Sequence, residues 1–121
     1  MTLVIACIIV LVVVMILKKR SQISLESARQ ELKRGALVVD VRSAGEYASN
    51  HLPGTLHVPL EQIQKVMPER VADKTQVLLL HCASGMRSGM AGAILRKMGY
   101  TRVFNLGSYH RAERVLEQKL K

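Results

Sequence analysis

Hydrophobic positions fall into three kinds of pattern along this chain. From Met1 to Leu17 a single polar side chain, Thr2, interrupts an otherwise apolar block, which ends abruptly at Lys18-Lys19-Arg20. Beyond it the spacing becomes helical. Ser24, a good N-cap residue, precedes Leu25, Ala28 and Leu32, and Gly35 supplies a stop. Two short runs, Ala36 to Val41 and Val77 to Leu80, are apolar without alternation, which predicts strands buried on both faces, as in a parallel sheet. Between them the pattern predicts a short helix around Ala44 to Ala48 and another from about Leu60 to Met67. After them come a helix from Arg87 to Met98 ended by Gly99 and a strand from Arg102 to Phe104. A closing amphipathic helix from Tyr109 to Leu120 turns Ala112, Val115, Leu116 and Leu120 inward. Alternating strands and helices of this kind imply an α/β fold with a central parallel sheet flanked by helices.

The first block reads as a transmembrane helix. Seventeen residues at about 1.5 Å each rise roughly 26 Å, a little under a hydrocarbon core of about 30 Å. Positive charge follows the block instead of preceding it, the reverse of a cleaved secretory signal. By the positive-inside rule the basic flank stays in the cytoplasm. The expected layout is therefore a membrane anchor over residues 1–17, a basic juxtamembrane linker over 18–22, and one domain over 23–121. That predicts a single-pass protein of the cytoplasmic (inner) membrane, N-terminus out. Cys7 lies inside the block and reads as an apolar residue, too close to the N-terminus for a lipidation signal.

All eighteen Lys and Arg residues lie beyond Leu17, against nine acidic ones, giving a formal charge of +9. The cations are scattered, and three Tyr and one Phe are the only aromatic residues other than His, so a nucleic-acid surface is not indicated. With one cysteine in the apolar block and one beyond it, no disulfide framework is implied. No ligand set has zinc spacing, and no metal or cofactor is called for.

The second cysteine carries the chemistry. Cys82 follows a predicted strand directly and opens the loop Ala83, Ser84, Gly85, Met86, Arg87, with Ser88 starting the next helical pattern. A loop between a strand end and a helix start gathers unpaired backbone N–H groups, which with the helix dipole favour a thiolate or a bound anion. Arg87 adds a permanent positive charge, and Gly85 permits close backbone approach. Cys82 is thus a candidate nucleophile. Asp40 and Arg42 reach the same rim of the sheet and are taken as supporting residues. Asp40 is expected to cap a turn and Arg42 to pair with Glu46. His81 is expected to pack under the loop, and His51 and His57 to be turn or packing residues.

These motifs together resemble the rhodanese-like sulfurtransferases. The likeness runs from Ile23 to Leu120 through Asp40-Val41-Arg42, Glu46-Tyr47, His51-Leu52-Pro53-Gly54, Val58-Pro59, the Cys82 to Ser88 segment, Gly99-Tyr100 and Val103-Phe104-Asn105-Leu106. The resemblance implies the rhodanese-like three-layer fold and a single-domain sulfurtransferase. In that reading Cys82 takes a sulfur atom from a small anionic donor such as thiosulfate, becomes a persulfide, and passes the outer sulfur to a thiophilic acceptor, small or a protein thiol. The amides of residues 83–88 and Arg87 would hold the donor.

Two rival readings stand beside it. His81-Cys82 followed by glycine and arginine also resembles cysteine-dependent phosphatases, some of which share this fold, but four residues separate Cys82 from Arg87 where those enzymes have five. A non-catalytic sulfur- or redox-sensing module tethered to the membrane is the other. The chain also departs from the sulfurtransferase pattern, with Asn50 before the histidine and Ser108, Tyr109 and Glu113 where the family commonly has two glycines and a tryptophan.

Overall fold

The computed structural model describes residues 1–20 and 22–119. After an N-terminal helix, α1 (Thr2–Arg20), the chain runs α2 (Leu25–Lys33), β1 (Leu37–Asp40), α3 (Ala44–Ser49), β2 (Leu56–His57), a 3-10 turn (Leu60–Gln62), α4 (Ile63–Arg70), β3 (Leu78–His81), α5 (Met86–Lys97), β4 (Val103–Gly107) and α6 (Tyr109–Lys119). The four strands form one sheet in the order β2-β1-β3-β4, with every pairing parallel.

The absence of alternation in the two apolar runs is explained by cover on both sides of the sheet. Along β1, Val38 points into a cluster with Ala28 and Leu32 of α2 and Ala112 and Val115 of α6, while Val39 points the other way, toward Ile63, Met67, Ala91 and Leu95 of α4 and α5. Leu79 joins the first cluster; Leu78 and Leu80 join the second. Successive strand residues therefore serve opposite cores, and both must be apolar. The result is three layers: α2 and α6, the sheet, α4 and α5.

Local signals set the element ends. Ser24 caps α2 through the Ser27 N–H, and Gly35 follows it at φ +99°. Ser43 caps α3 in a reciprocal box with Glu46: the Glu46 N–H donates to the Ser43 hydroxyl, and the Ser43 N–H donates to the Glu46 carboxylate. One expectation shifts, and one element is new. The strand placed at Arg102 to Phe104 extends instead to Gly107, because Asn105, the polar residue that breaks its apolar run, is buried and bonded. The two-residue strand β2 carries no apolar run that would announce it. Of the residues expected inward on α6, Ala112 and Val115 are fully buried, Leu116 packs partly against the same cluster, and Leu120 lies outside the described residues.

The membrane assignment is overturned. Among the described residues no helix is long and apolar enough to cross a membrane. The apolar part of α1, Thr2 to Leu17, rises about 24 Å, and the same helix runs on into Lys18-Lys19-Arg20, so charge arrives before a core of about 30 Å is spanned. The transmembrane anchor over residues 1–17, the membrane as a partner, and the single-pass inner-membrane location with its N-terminus outside are therefore withdrawn.

Candidate functional site

The carboxyl ends of β1 and β3 sit side by side, with Asp40 paired in register to His81. Cys82 follows His81 and is fully buried. Its N–H donates to the Gly107 carbonyl at 3.1 Å, and the Tyr109 N–H donates to the Ala83 carbonyl at 3.3 Å. A bridge between Ser84 and Ser108 completes the seam. The loop after β3 is thus stitched to the turn between β4 and α6.

Gly85 closes the loop and begins α5 at φ +98°, a left-handed conformation that L side chains rarely adopt. Space demands glycine as well: a Cβ there would come within 2.9 Å of the Gln22 amide nitrogen and 3.2 Å of the Gly107 Cα. This turn aims the Gly85 N–H at the Cys82 Sγ, 3.0 Å away, and the Ser88 hydroxyl lies 3.5 Å from the same sulfur. Burial pushes the thiol's pKa up. Hydrogen bonds from the Ser88 hydroxyl and from the Ser88, Gly85 and Ser84 amides outweigh that effect, and the net shift is downward. The loop therefore makes the thiolate easier to form than in a free cysteine, just ahead of a helix.

Asn105 organises the loop from below. Its amide nitrogen donates to the Gly85 carbonyl at 3.0 Å, while its Oδ1 accepts from the Ser88 hydroxyl at 2.7 Å and from the Gly107 N–H at 3.0 Å. Sequence reasoning gave Asn105 no role, although a lone amide inside an apolar strand run was the available signal.

Two carboxylate–guanidinium pairs flank the loop, and they are not the pairs expected. Arg42 was expected to bind Glu46. Instead Asp40 receives Arg42 through Nε at 3.1 Å and Nη2 at 2.8 Å, with the Arg42 N–H adding a bond to the same carboxylate at 2.9 Å. Ser43 as N-cap leaves Arg42 outside helix α3, so helical i,i+4 spacing does not apply to it. The Arg42 guanidinium also reaches the Asn50 carbonyl at 2.7 Å and lies 4.7 Å from the Tyr109 ring centre. Glu46 is taken by Arg87, Nη1 to Oε1 at 2.6 Å and Nη2 to Oε2 at 3.0 Å, which with Ser43 holds its carboxyl down at about 2. The Arg87 pKa is raised, chiefly by Glu46 and in smaller part by Cys82.

The histidines take packing positions. His81 is fully buried, its Nδ1 is 3.4 Å from the Cys82 carbonyl, and its Nε2 faces Asp40 at 3.8 Å. Burial is the main reason that its pKa falls, which keeps the ring neutral. Tyr47 stacks between His51 and His57, with ring centres 4.0 and 4.2 Å apart. At the positions departing from the family pattern, Ser108 caps α6 through the Arg111 N–H, and Tyr109 covers Arg42 and meets His81 edge-on. Beside the loop opens a cleft of about 590 Å³ bordered by Val14 and Leu17 of α1, Gly85, and the exposed Met86 and Met90.

Known proteins resemble this chain in sequence and fold. The family model for the rhodanese-like domain matches residues 24–111. Thiosulfate sulfurtransferase PspE of Escherichia coli is 36% identical over 69 residues, 57% of this chain and 66% of that protein. A sulfurtransferase of Allochromatium vinosum is 38% identical over 88 residues, 71% of this chain and 80% of its own length. Among solved structures, the human single-domain sulfurtransferase TSTD1 superposes with a TM-score of 0.64 at 26% identity, covering 78% of this chain and 96% of that one. The first three curated relatives are matched over 66%, 46% and 56% of their lengths. The matched segment takes in all four strands and the whole Cys82 loop, and on that basis the chain belongs to the rhodanese-like domain family.

Proposed function

We propose that this protein is a sulfurtransferase that moves a sulfane sulfur from a donor such as thiosulfate to a thiophilic acceptor through a persulfide on Cys82. One observation carries the reading: a thiol with a lowered pKa accepts hydrogen bonds from Gly85 and Ser88 at the start of α5. Sulfurtransferase relatives support it.

In the first step the Cys82 thiolate attacks the outer sulfur of thiosulfate. The Cys82–sulfur bond forms, the donor's sulfur–sulfur bond breaks, and sulfite leaves with the electron pair. The persulfide keeps one negative charge, which the amides of residues 83–88 stabilise as they do the thiolate. In the second step an acceptor such as cyanide or a thiolate attacks the terminal sulfur and returns the Cys82 thiolate. Two half-reactions through a covalent enzyme predict ping-pong kinetics. Arg87 binds the donor, and Asp40 with Arg42 holds the rim that carries the loop.

Intact-mass spectrometry of the full chain tests this. After thiosulfate, the protein should gain one sulfur mass and lose it to cyanide, and Cys82→Ser should show neither change while keeping its fold. A wild-type protein without an adduct, or a Cys82→Ser variant with undiminished turnover, would overturn the mechanism.

A further inference from the structure

The two cations that flank the mouth of the loop are matched by carboxylates of the same chain, while a third, Arg111, lies behind the seam with its guanidinium turned to Gln22 and the Leu106 and Ile23 carbonyls. Arg42 is committed to Asp40, and Arg87 is held bidentately by Glu46, whose carboxylate also accepts from the N–H and hydroxyl of Ser43. His81 is neutral by burial. The two pairs at the loop mouth and neutral His81 thus sum to zero before the thiolate forms, and to minus one after. Among the described residues the cleft next to the loop adds no charge, since those lining it are methionine, leucine, valine, alanine, glycine and asparagine. What remains for an anion is the set of backbone N–H groups, the start of α5, and the Arg87 N–H groups that Glu46 does not take. Such partial charges offset one doubly charged donor beside the thiolate less well than one singly charged donor.

We propose that Glu46 is a specificity-determining residue that cancels the charge of Arg87 and so sets the site for singly charged sulfur donors over doubly charged ones. The inference rests on the sulfurtransferase reading. The favoured class is an organic donor with one anionic sulfur, such as an alkyl thiosulfonate or an alkyl persulfide, its organic group lying toward Met86 and Met90. For a thiosulfonate the step balances as before: the Cys82 thiolate takes the terminal sulfur, the sulfur–sulfur bond breaks, and a sulfinate leaves with the electron pair, two negative charges on each side.

Methanethiosulfonate and thiosulfate differ by a methyl group in place of one charged oxygen and serve as the probe pair. The full chain is assayed with each donor and cyanide, with thiocyanate as the readout. Intrinsic donor reactivity cancels when the ratio of kcat/KM values for the two donors is compared between variants. Glu46→Gln retains an oxygen for the Ser43 N–H and frees the Arg87 charge. It should shift the ratio toward thiosulfate at least fivefold, mainly through a lower thiosulfate KM. Glu46→Ala should move it the same way, and Glu46→Asp, which keeps the charge, should leave it within about twofold. A purely structural role would raise KM for both donors together and leave the ratio unchanged, and that result in Glu46→Gln or Glu46→Ala would overturn the proposal. Persulfide formation in the wild type with an unmoved ratio removes only this inference; no persulfide from either donor removes the sulfurtransferase reading along with it.

Discussion

Asp40–Arg42 and Glu46–Arg87 are both forked carboxylate–guanidinium pairs on one rim of the sheet, but they live in different media. Asp40 is sealed from solvent and Arg42 nearly so, whereas the side chains of Glu46 and Arg87 are each about a third exposed, 36% and 35%. The buried pair joins residues two apart in sequence and adds a carbonyl and an aromatic face to satisfy the guanidinium. The open pair joins residues 41 apart and reaches from α3 to the first turn of α5. A sealed pair has no route to a ligand and serves the scaffold; an open pair at a loop mouth can respond to what arrives there. The same chemical motif is thus used for two ends, and burial decides which.

Breaking the buried pair should have the largest effect on stability. Asp40→Asn leaves Arg42 without its counter-charge in a dry site, and urea denaturation should show a loss of about 3 kcal/mol or more. Replacing both partners with apolar residues of similar size should cost less than the single change, since no charge is then stranded. Equal losses would mean that the pair's bonds, not its charge balance, hold the rim. Breaking the open pair from the cation side sharpens the contrast: Arg87→Ala should lower the denaturation midpoint little but raise the donor KM about tenfold, in line with one lost charge-assisted contact. An unchanged KM would remove Arg87 from donor binding. Smallest is the acid response of the open pair. The Glu46 carboxyl titrates at about 2 in the folded chain against an ordinary 4.5, so its stabilisation is complete above 4.5 and disappears as pH falls from there to about 2. With solvent screening the pair, the loss should stay under about 1 kcal/mol, read as the difference in acid unfolding between wild type and Glu46→Gln.

Much of the scaffold was legible because its rules are local. Val38 and Val39, adjacent and both apolar, point to a sheet covered on two sides, and Ser24, Ser43 and Gly35 mark helix ends by their own chemistry. The Cys82 loop was equally plain, since a cysteine between a strand run and a helix pattern has few other placements. What escaped was long-range. Nothing near Glu46 says that its partner lies at Arg87, and the helical spacing rule that joined it to Arg42 fails because Arg42 precedes the helix. The lone amide of Asn105 in an apolar run signals something unusual, but its role depends on partners 17 and 20 residues away, Ser88 and Gly85, which no local pattern names. The apolar N-terminal block departs from a membrane span for a metrical reason: its apolar rise falls short of a bilayer core, and the charges come on the same helix.

The seam between the Cys82 loop and the β4–α6 turn bears on the thermodynamics of the first encounter. Cys82, Ala83 and Ser84 are fastened to Gly107, Tyr109 and Ser108, and Asn105 grips Gly85 and Ser88 from beneath. The loop's conformational entropy is therefore surrendered during folding, under the driving force of the two cores, and little is left to lose when an anion settles against its amides. Affinity at such a cradle is governed by charge and shape alone, so exchanging a single carboxylate at its edge can retune what it accepts without the cradle having to reform.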